Sequence, residues 1–355
     1  MKIAMKGGPH VERLRSPFAL FIYKKIVLLL FSIFVAMTFI FIFPRLLPYS
    51  PIDIMIGRIM GAGGTSLGGQ QSVGGVAGSA ALETMRQVYE EKFGLRDPLT
   101  TQYFLFWKRF FTMDFGLSYW RYPQPVARLV LYALPWTIAL MLPVVPIGFI
   151  VGNWLGSRAA FYRGKLGNLF FAIALYMFQA PYYWFALILV FVFGVALRWF
   201  PLYGAYSSQW VRPVLSLEWF LDAAWHYALP FLSLVGSGIG GWAVDMRALV
   251  LYEMQSDYVQ YANQLGFGKG KLRKYMQKNA ILPNFTWLPM SISSLISQTL
   301  LIEVVFGYPG IGNLAFNAVF ALDYPLIEVT FIFSMLILLI GNFVCDILYG
   351  VLDPR

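Results

Sequence analysis

Apolar positions in this chain are gathered into long blocks separated by polar segments. Six blocks stand out: Ile26–Phe43, Leu129–Leu155, Leu166–Leu197, His226–Val244, Ala280–Ile302 and Pro325–Cys345. They are almost free of charged side chains. Roughly 20 apolar residues suffice for a helix to cross about 30 Å of hydrocarbon. Backbone groups in lipid must pair within their own segment, and the period-two alternation of barrel strands is absent from these blocks, so each predicts a helix.

The expected fold class is therefore an all-α integral membrane protein with six transmembrane helices and an enlarged external loop between helices 1 and 2. Residues 1–25 form a cytoplasmic N-terminal segment, and 26–46 the first transmembrane helix. Residues 47–126 form an external loop or cap, and 127–355 a five-helix core with a cytoplasmic loop at 245–279. The stretch 57–78, with Gly63-Gly64, Gly68-Gly69 and Gly74-Gly75, reads as a flexible insertion. Ala80 to Pro125 mixes charges with Tyr103, Phe104, Phe106, Trp107, Phe110 and Phe111. That mixture predicts a small folded cap with an amphipathic helix near the membrane surface.

Composition agrees: 59% of residues are hydrophobic and 12% charged, too little polar surface for a soluble domain. The net charge of +10 follows topology rather than nucleic-acid binding. Lys2, Lys6, Arg13, Arg15, Lys24 and Lys25 precede the first block. Arg158, Arg163 and Lys165 follow the second. Arg247, Lys269, Lys271, Arg273, Lys274 and Lys278 follow the fourth, and Arg355 ends the chain. Arg198 and Arg212 alone follow the third block, and no basic residue follows the fifth. The positive-inside rule then places both termini in the cytoplasm. No small-residue cleavage site follows Phe43-Pro44-Arg45, so the first block reads as a retained helix.

Candidate chemistry is sparse. The one cysteine, Cys345, and the widely spaced His10 and His226 supply neither a disulfide nor a metal-ligand cluster. Paired carboxylates and nucleophile constellations are absent, which argues against an enzyme. In the cytoplasmic loop, Tyr258, Tyr261, Ala262 and Leu265 fall on one face of a helix that Asp257 can cap, and Gly266 follows. A helix this short needs outside burial. A groove on a partner or the chain's own membrane domain would supply it. Ser291, Ser294, Ser297 and Gln298 make the fifth block polar, and Gln179 and Tyr182 interrupt the third. These six are the candidate lining of a pathway, since polar side chains at that density face a cavity or another helix rather than lipid. Pro135, Pro143, Pro146 and Pro181 can loosen the second and third helices. Gly236, Gly238, Gly240 and Gly241 permit close helix approach.

The cytoplasmic loop resembles the coupling loop of ABC importer permeases. Gln260-Tyr261-Ala262 stands where that family has Glu-Ala-Ala, and Gly266 and Leu282-Pro283 follow in order. The chain is more specifically similar to the dipeptide/oligopeptide/nickel permease subfamily. The similarity rests on Phe93–Pro98, Gln102-Tyr103, Asp114–Ser118, Pro125-Val126, Glu303–Phe306, Tyr308-Pro309-Gly310, Gly312, Asp323-Tyr324-Pro325, Asp346–Tyr349 and Leu352–Arg355. It departs from that pattern in the altered Glu-Ala-Ala, in Tyr49-Ser50 where Gly-Asp is common, and in the Gly-rich insertion.

The resemblance implies a type I ABC importer permease fold in the inner membrane, and the first permease of a pair. It implies a second homologous permease, two cytoplasmic ATP-binding subunits and an external solute-binding protein as partners. Asp257, Tyr258, Tyr261, Ala262, Leu265 and Gly266 would then couple the permease to an ATPase. No phosphate-binding loop occurs here, since Gly266–Lys271 is followed by Leu272. No cofactor is expected in this chain; ATP and magnesium would sit in the partners. Oligopeptides are the expected solutes, with oligosaccharides, nickel or other small solutes as alternatives. An ion-coupled secondary transporter would instead need ionisable relays in mid-span, and the blocks carry them only near their ends.

Overall fold

The structure, a computed structural model, describes residues 10–46, 83–84, 86–88, 90–91, 94–161, 164–210, 213–214 and 216–352. The Gly-rich stretch 57–78, Lys2, Lys6, Tyr49-Ser50, Phe93, Arg163, Arg212 and Asp353–Arg355 lie outside the described residues. The described residues are almost wholly helical, with one isolated bridge between Leu117 and Pro125. Helix α1 is His10–Arg45, α2 Leu99–Thr112, α3 Val126–Met141, α4 Val144–Phe161, α5 Lys165–Gln179 and α6 Tyr182–Leu189. Then come α7 Leu217–Glu253, α8 Asp257–Gln264, α9 Lys269–Phe285, α10 Leu288–Val305, α11 Ile311–Ala321 and α12 Tyr324–Leu352.

Among the described residues, four helical stretches are individually long and apolar enough to cross a membrane: Leu20–Arg45, Val126–Phe161, Leu217–Glu253 and Tyr324–Val344. The other two blocks are bent. The third breaks between α5 and α6 by 110°, and the fifth between α9 and α10 by 63°. Counting each bent pair as one span gives six. The sequence reading had both as continuous helices. Their breaks have identifiable causes. Ahead of Pro181, Ala180 is pushed to φ −69°, ψ 138°, which ends α5. Pro289 falls in the first turn of α10, where its missing amide proton costs nothing but stops the ladder from α9 running through. After α6, residues Val190–Ala196 adopt a π-helix. The fourth span is longer than expected. It continues as α7 through Glu253, so the first part of the loop 245–279 is still transmembrane-helix extension. Helix α11 was not anticipated; at 11 residues it is too short to span.

The described residues divide into two compact units. One takes residues 136–309 with the described parts of Met1–Ile33 and Leu336–Arg355; the other takes Phe34–Pro135 and Gly310–Met335. In the first unit, Leu140, Val144, Leu189, Leu229, Leu234, Leu295, Ile302, Phe306 and Tyr308 form the core. Helices α4 and α7 meet backbone to backbone. A Cβ on Gly152 would lie 2.4 Å from the Cβ of Trp242, and one on Gly156 would lie 2.3 Å from the carbonyl oxygen of Ala243. Only glycine fits such an approach, the small-residue device of membrane helices. On the other side of α7, a Cβ on Gly240 would lie 2.5 Å from the carbonyl of Ala174 on α5. Lys25 and Asp346 pair at 2.7 Å.

The second unit packs Phe115, Tyr119, Val126, Leu129, Val130, Ala318, Leu326 and Ile327 together. Arg45 holds Glu328 at 2.6 Å, donates to the Gln102 side-chain oxygen at 3.2 Å, and lies over the Phe41 ring at 3.6 Å. Thr38 and Tyr103 share a hydrogen bond of 2.9 Å. Asp323 is buried and caps α12 by accepting from the Leu326 amide at 3.2 Å. It also accepts from the Ser118 hydroxyl and, at 2.9 Å, from the Trp120 amide. Two segments far apart in sequence, Asp114–Ser118 and Asp323-Tyr324-Pro325, thus meet at one carboxylate. Burial pushes that carboxyl above its ordinary value, and hydrogen bonds from the Ser118 hydroxyl and from the Trp120, Leu326 and Tyr119 amides oppose the shift.

Candidate functional site

Both candidate sites belong to the first unit. The larger is a cavity of about 580 Å³. It opens where the α5–α6 break leaves Gln179, Pro181 and Tyr182 facing α7 and α10. Had the third span run straight, Pro181 and Tyr182 would have continued along one helix. The bend instead turns the chain aside and opens the space. From α7 the wall receives Ser237, Gly238, Gly241, Trp242 and Asp245, which share one stripe at helical spacing. Gly238 has nothing within 4 Å of where a Cβ would stand, so its missing side chain is open cavity. Trp287, Ser291, Ser294 and Gln298 complete the wall from the α9–α10 break and α10.

Of the six candidate lining residues, the structure brings Gln179, Tyr182, Ser291, Ser294 and Gln298 together around this cavity. Ser297 is exposed and not among the lining residues. At 100° per residue it stands a full 100° around α10 from Gln298, at the margin of the lining face. Sequence reasoning passed over Asp245, Trp242 and Trp287. Asp245 looked like a residue near the end of a span. Its spacing of four from Gly241 and eight from Ser237 was the signal that could have found it.

The second site is α8. Its eight residues, Asp257–Gln264, are followed by Leu265, and the chain turns at Gly266 with φ +75°, a left-handed conformation natural for glycine. The helix has two unlike faces. Val259, 8% exposed, packs with Ala262 against Leu272 and Met276 of α9, and against Phe161 and Met254. Tyr258, Tyr261 and Leu265 point away, at 39%, 64% and 57% exposure, and Asp257 is exposed. The apolar face read from sequence is therefore divided. Ala262 belongs to the docked side with Val259, while the two tyrosines and Leu265 form the open side. The Tyr258 hydroxyl donates to the Glu253 carboxylate, and burial with that neighbour pushes the phenol above its ordinary value. On α9, Lys271 and Lys274 are exposed while Leu272 and Met276 face inward.

A family model described as the binding-protein-dependent transport system inner membrane component matches residues 145–355. The matched stretch holds α8 and every cavity residue except Val144. The chain belongs to this family. It is a permease component of a transport system in the inner membrane. Similar proteins agree. The oligopeptide transport system permease protein AppB of Bacillus subtilis is 31% identical over 76% of this chain and 84% of its own. OppB of Haemophilus influenzae, likewise named an oligopeptide transport system permease protein, is 27% identical over 94% and 98%. The inner membrane ABC transporter permease protein YejB of Escherichia coli O157:H7 is 29% identical over 94% and 98%.

Proposed function

We propose that this permease is one of a pair of homologous subunits that together form the translocation path of an ATP-driven importer for oligopeptides. The observation that carries the reading is the similarity, over 76% and 94% of the chain, to two permeases named for oligopeptide transport. The partners are a second permease, two cytoplasmic ATP-binding subunits that hold ATP and magnesium, and an external solute-binding protein. The termini and the loop carrying Lys274 lie in the cytoplasm, and Asp323 lies outside; the distribution of Lys and Arg supports this orientation.

Helix α8 is the coupling helix. Its outward Tyr258, Tyr261 and Leu265 enter a groove of one ATPase, Asp257 and Gly266 frame the helix, and Ala262 holds it to the permease. Gln179, Tyr182, Ser291, Ser294 and Gln298 line the path, with Ser297 beside it. Closing of the ATPases pulls on α8 and tilts the helices between inward-open and outward-open states, a shift of populations set by the nucleotide. The cavity volume lies within the 300–1,000 Å³ typical of small-ligand sites.

The test is uptake of labelled tripeptides into proteoliposomes carrying the full complex. ATP-dependent uptake that needs the binding protein is expected. Uptake driven by a proton or sodium gradient without ATP would replace this reading with secondary transport. Uptake of oligosaccharides alone would replace the solute. Modification of a cysteine at position 274 from outside intact cells would overturn the orientation.

A further inference from the structure

We infer that Asp245 is a specificity-determining residue of the cavity, and that it takes an ammonium group of the solute. The inference rests on reading the cavity as the solute path. Among the described residues, Asp245 is the one charged residue in the cavity wall; the remaining polar groups there, such as Gln179, Tyr182 and Gln298, are neutral. Among the described residues, no hydrogen bond or ion pair engages its carboxylate. The nearest basic residue along the helix, Arg247, is turned away, with its guanidinium over the Phe171 ring at 4.1 Å.

The surroundings suit a cation. Trp242 and Trp287 line the same cavity, and indole faces attract ammonium groups. On the same stripe of α7, Gly238 leaves open space where a side chain would stand, so a solute can lie along the helix and reach the carboxylate. A charge in a membrane-spanning helix that faces a cavity is costly to keep and is a functional feature by default. In a path otherwise lined by neutral groups, one carboxylate discriminates between solutes by charge while the neutral wall tolerates varied side chains. The ammonium can come from a free peptide amino terminus or from a lysine side chain.

The test uses the assembled complex with Cys345→Ser and Ser291→Cys, which places one thiol on the cavity wall. The thiol is modified with a trimethylammonium methanethiosulfonate or its sulfonate counterpart, and the two rates are compared with those on a free thiol. With Asp245 present, the cationic reagent should be favoured by about fivefold or more beyond its free-thiol ratio. Asp245→Asn should abolish the preference and Asp245→Glu should keep it. Millimolar tri-alanine and N-acetyl-Lys-Ala-Ala should slow modification, whereas N-acetyl-tri-alanine should not. Protection by only one of the first two identifies the source of the ammonium. An unchanged rate ratio in Asp245→Asn, equal protection by N-acetyl-tri-alanine, or no protection by any peptide would overturn the inference. The rate ratio does not depend on peptide import, so a complex that keeps the charge preference yet imports no peptide refutes only the proposed solute.

Discussion

The two faces of α8 make opposite demands, and a pair of single substitutions separates them. Tyr261→Ala removes an aromatic side chain that is 64% exposed in the isolated permease. Exposed positions away from caps and networks change stability by only about 0.5 kcal/mol or less. The permease alone should therefore melt as before. If Tyr261 is an anchor at the centre of an ATPase groove, its truncation costs about 2 kcal/mol of association. That is roughly a 30-fold weaker hold. Val259→Ala acts in the opposite way. It removes buried methyl groups from the contact with Leu272 and Met276, at about 1–2 kcal/mol, and loosens α8 from its own domain. Two measurements decide the matter: binding-protein-stimulated ATP hydrolysis by the reconstituted complex, and thermal unfolding of the purified permease. Tyr261→Ala should lose stimulation with unfolding unchanged; Val259→Ala should lower the unfolding temperature. Full stimulation in Tyr261→Ala would remove the outward face from the coupling mechanism. A lowered unfolding temperature in the same variant would show that the face is covered by the permease itself.

Two further substitutions probe the membrane part. Gly238→Leu enters open cavity and should keep expression and unfolding near those of the parent while lowering uptake at least tenfold. Gly156→Leu, whose Cβ would stand 2.3 Å from the Ala243 carbonyl oxygen, should prevent stable assembly in the membrane; comparable yields of the two variants would refute the packing argument. Asp323→Ala strands the Ser118 hydroxyl and the Trp120 and Leu326 amides. About 1–3 kcal/mol per buried unpaired group predicts a large drop in unfolding temperature. An unfolding temperature within a degree or two of the parent would mean that water reaches those groups.

Much of this arrangement was legible in the sequence because the membrane imposes a simple rule. Apolar blocks marked where helices cross, and the polar residues interrupting them marked the cavity: Gln179, Tyr182, Ser291, Ser294 and Gln298 were found without coordinates. The short helix at 257–264 was visible from its spacing and from Gly266. What escaped depended on geometry that composition does not encode. Pro181 was seen and Pro289 was passed over, and a proline within an apolar block can kink a helix or break it, with neighbours deciding which. The glycines of α4 were overlooked while those of α7 were noticed, although Gly148, Gly152 and Gly156 recur every four residues; that spacing marks a close-approach face, but only the folded chain shows that α7 is the helix it receives. Likewise Ser118 and Asp323 looked like separate motif residues, and only folding brings them to one hydrogen bond.

The clamp around Arg45 bears on how this protein can vary. Arg45 with Glu328 and Gln102, and Thr38 with Tyr103, fix the end of α1 and the start of α2 within one unit, whatever lies between them. From residue 46 to residue 98 the connecting segment is 53 residues long, and 22 of these are the Gly-rich stretch 57–78. Between ends that are already pinned, the closure-entropy relation for loops makes the step from 31 to 53 residues cost only about 0.5 kcal/mol. Length there is close to free. Insertions at this position can drift, lengthen or acquire new contacts while the helices that flank them stay as they are.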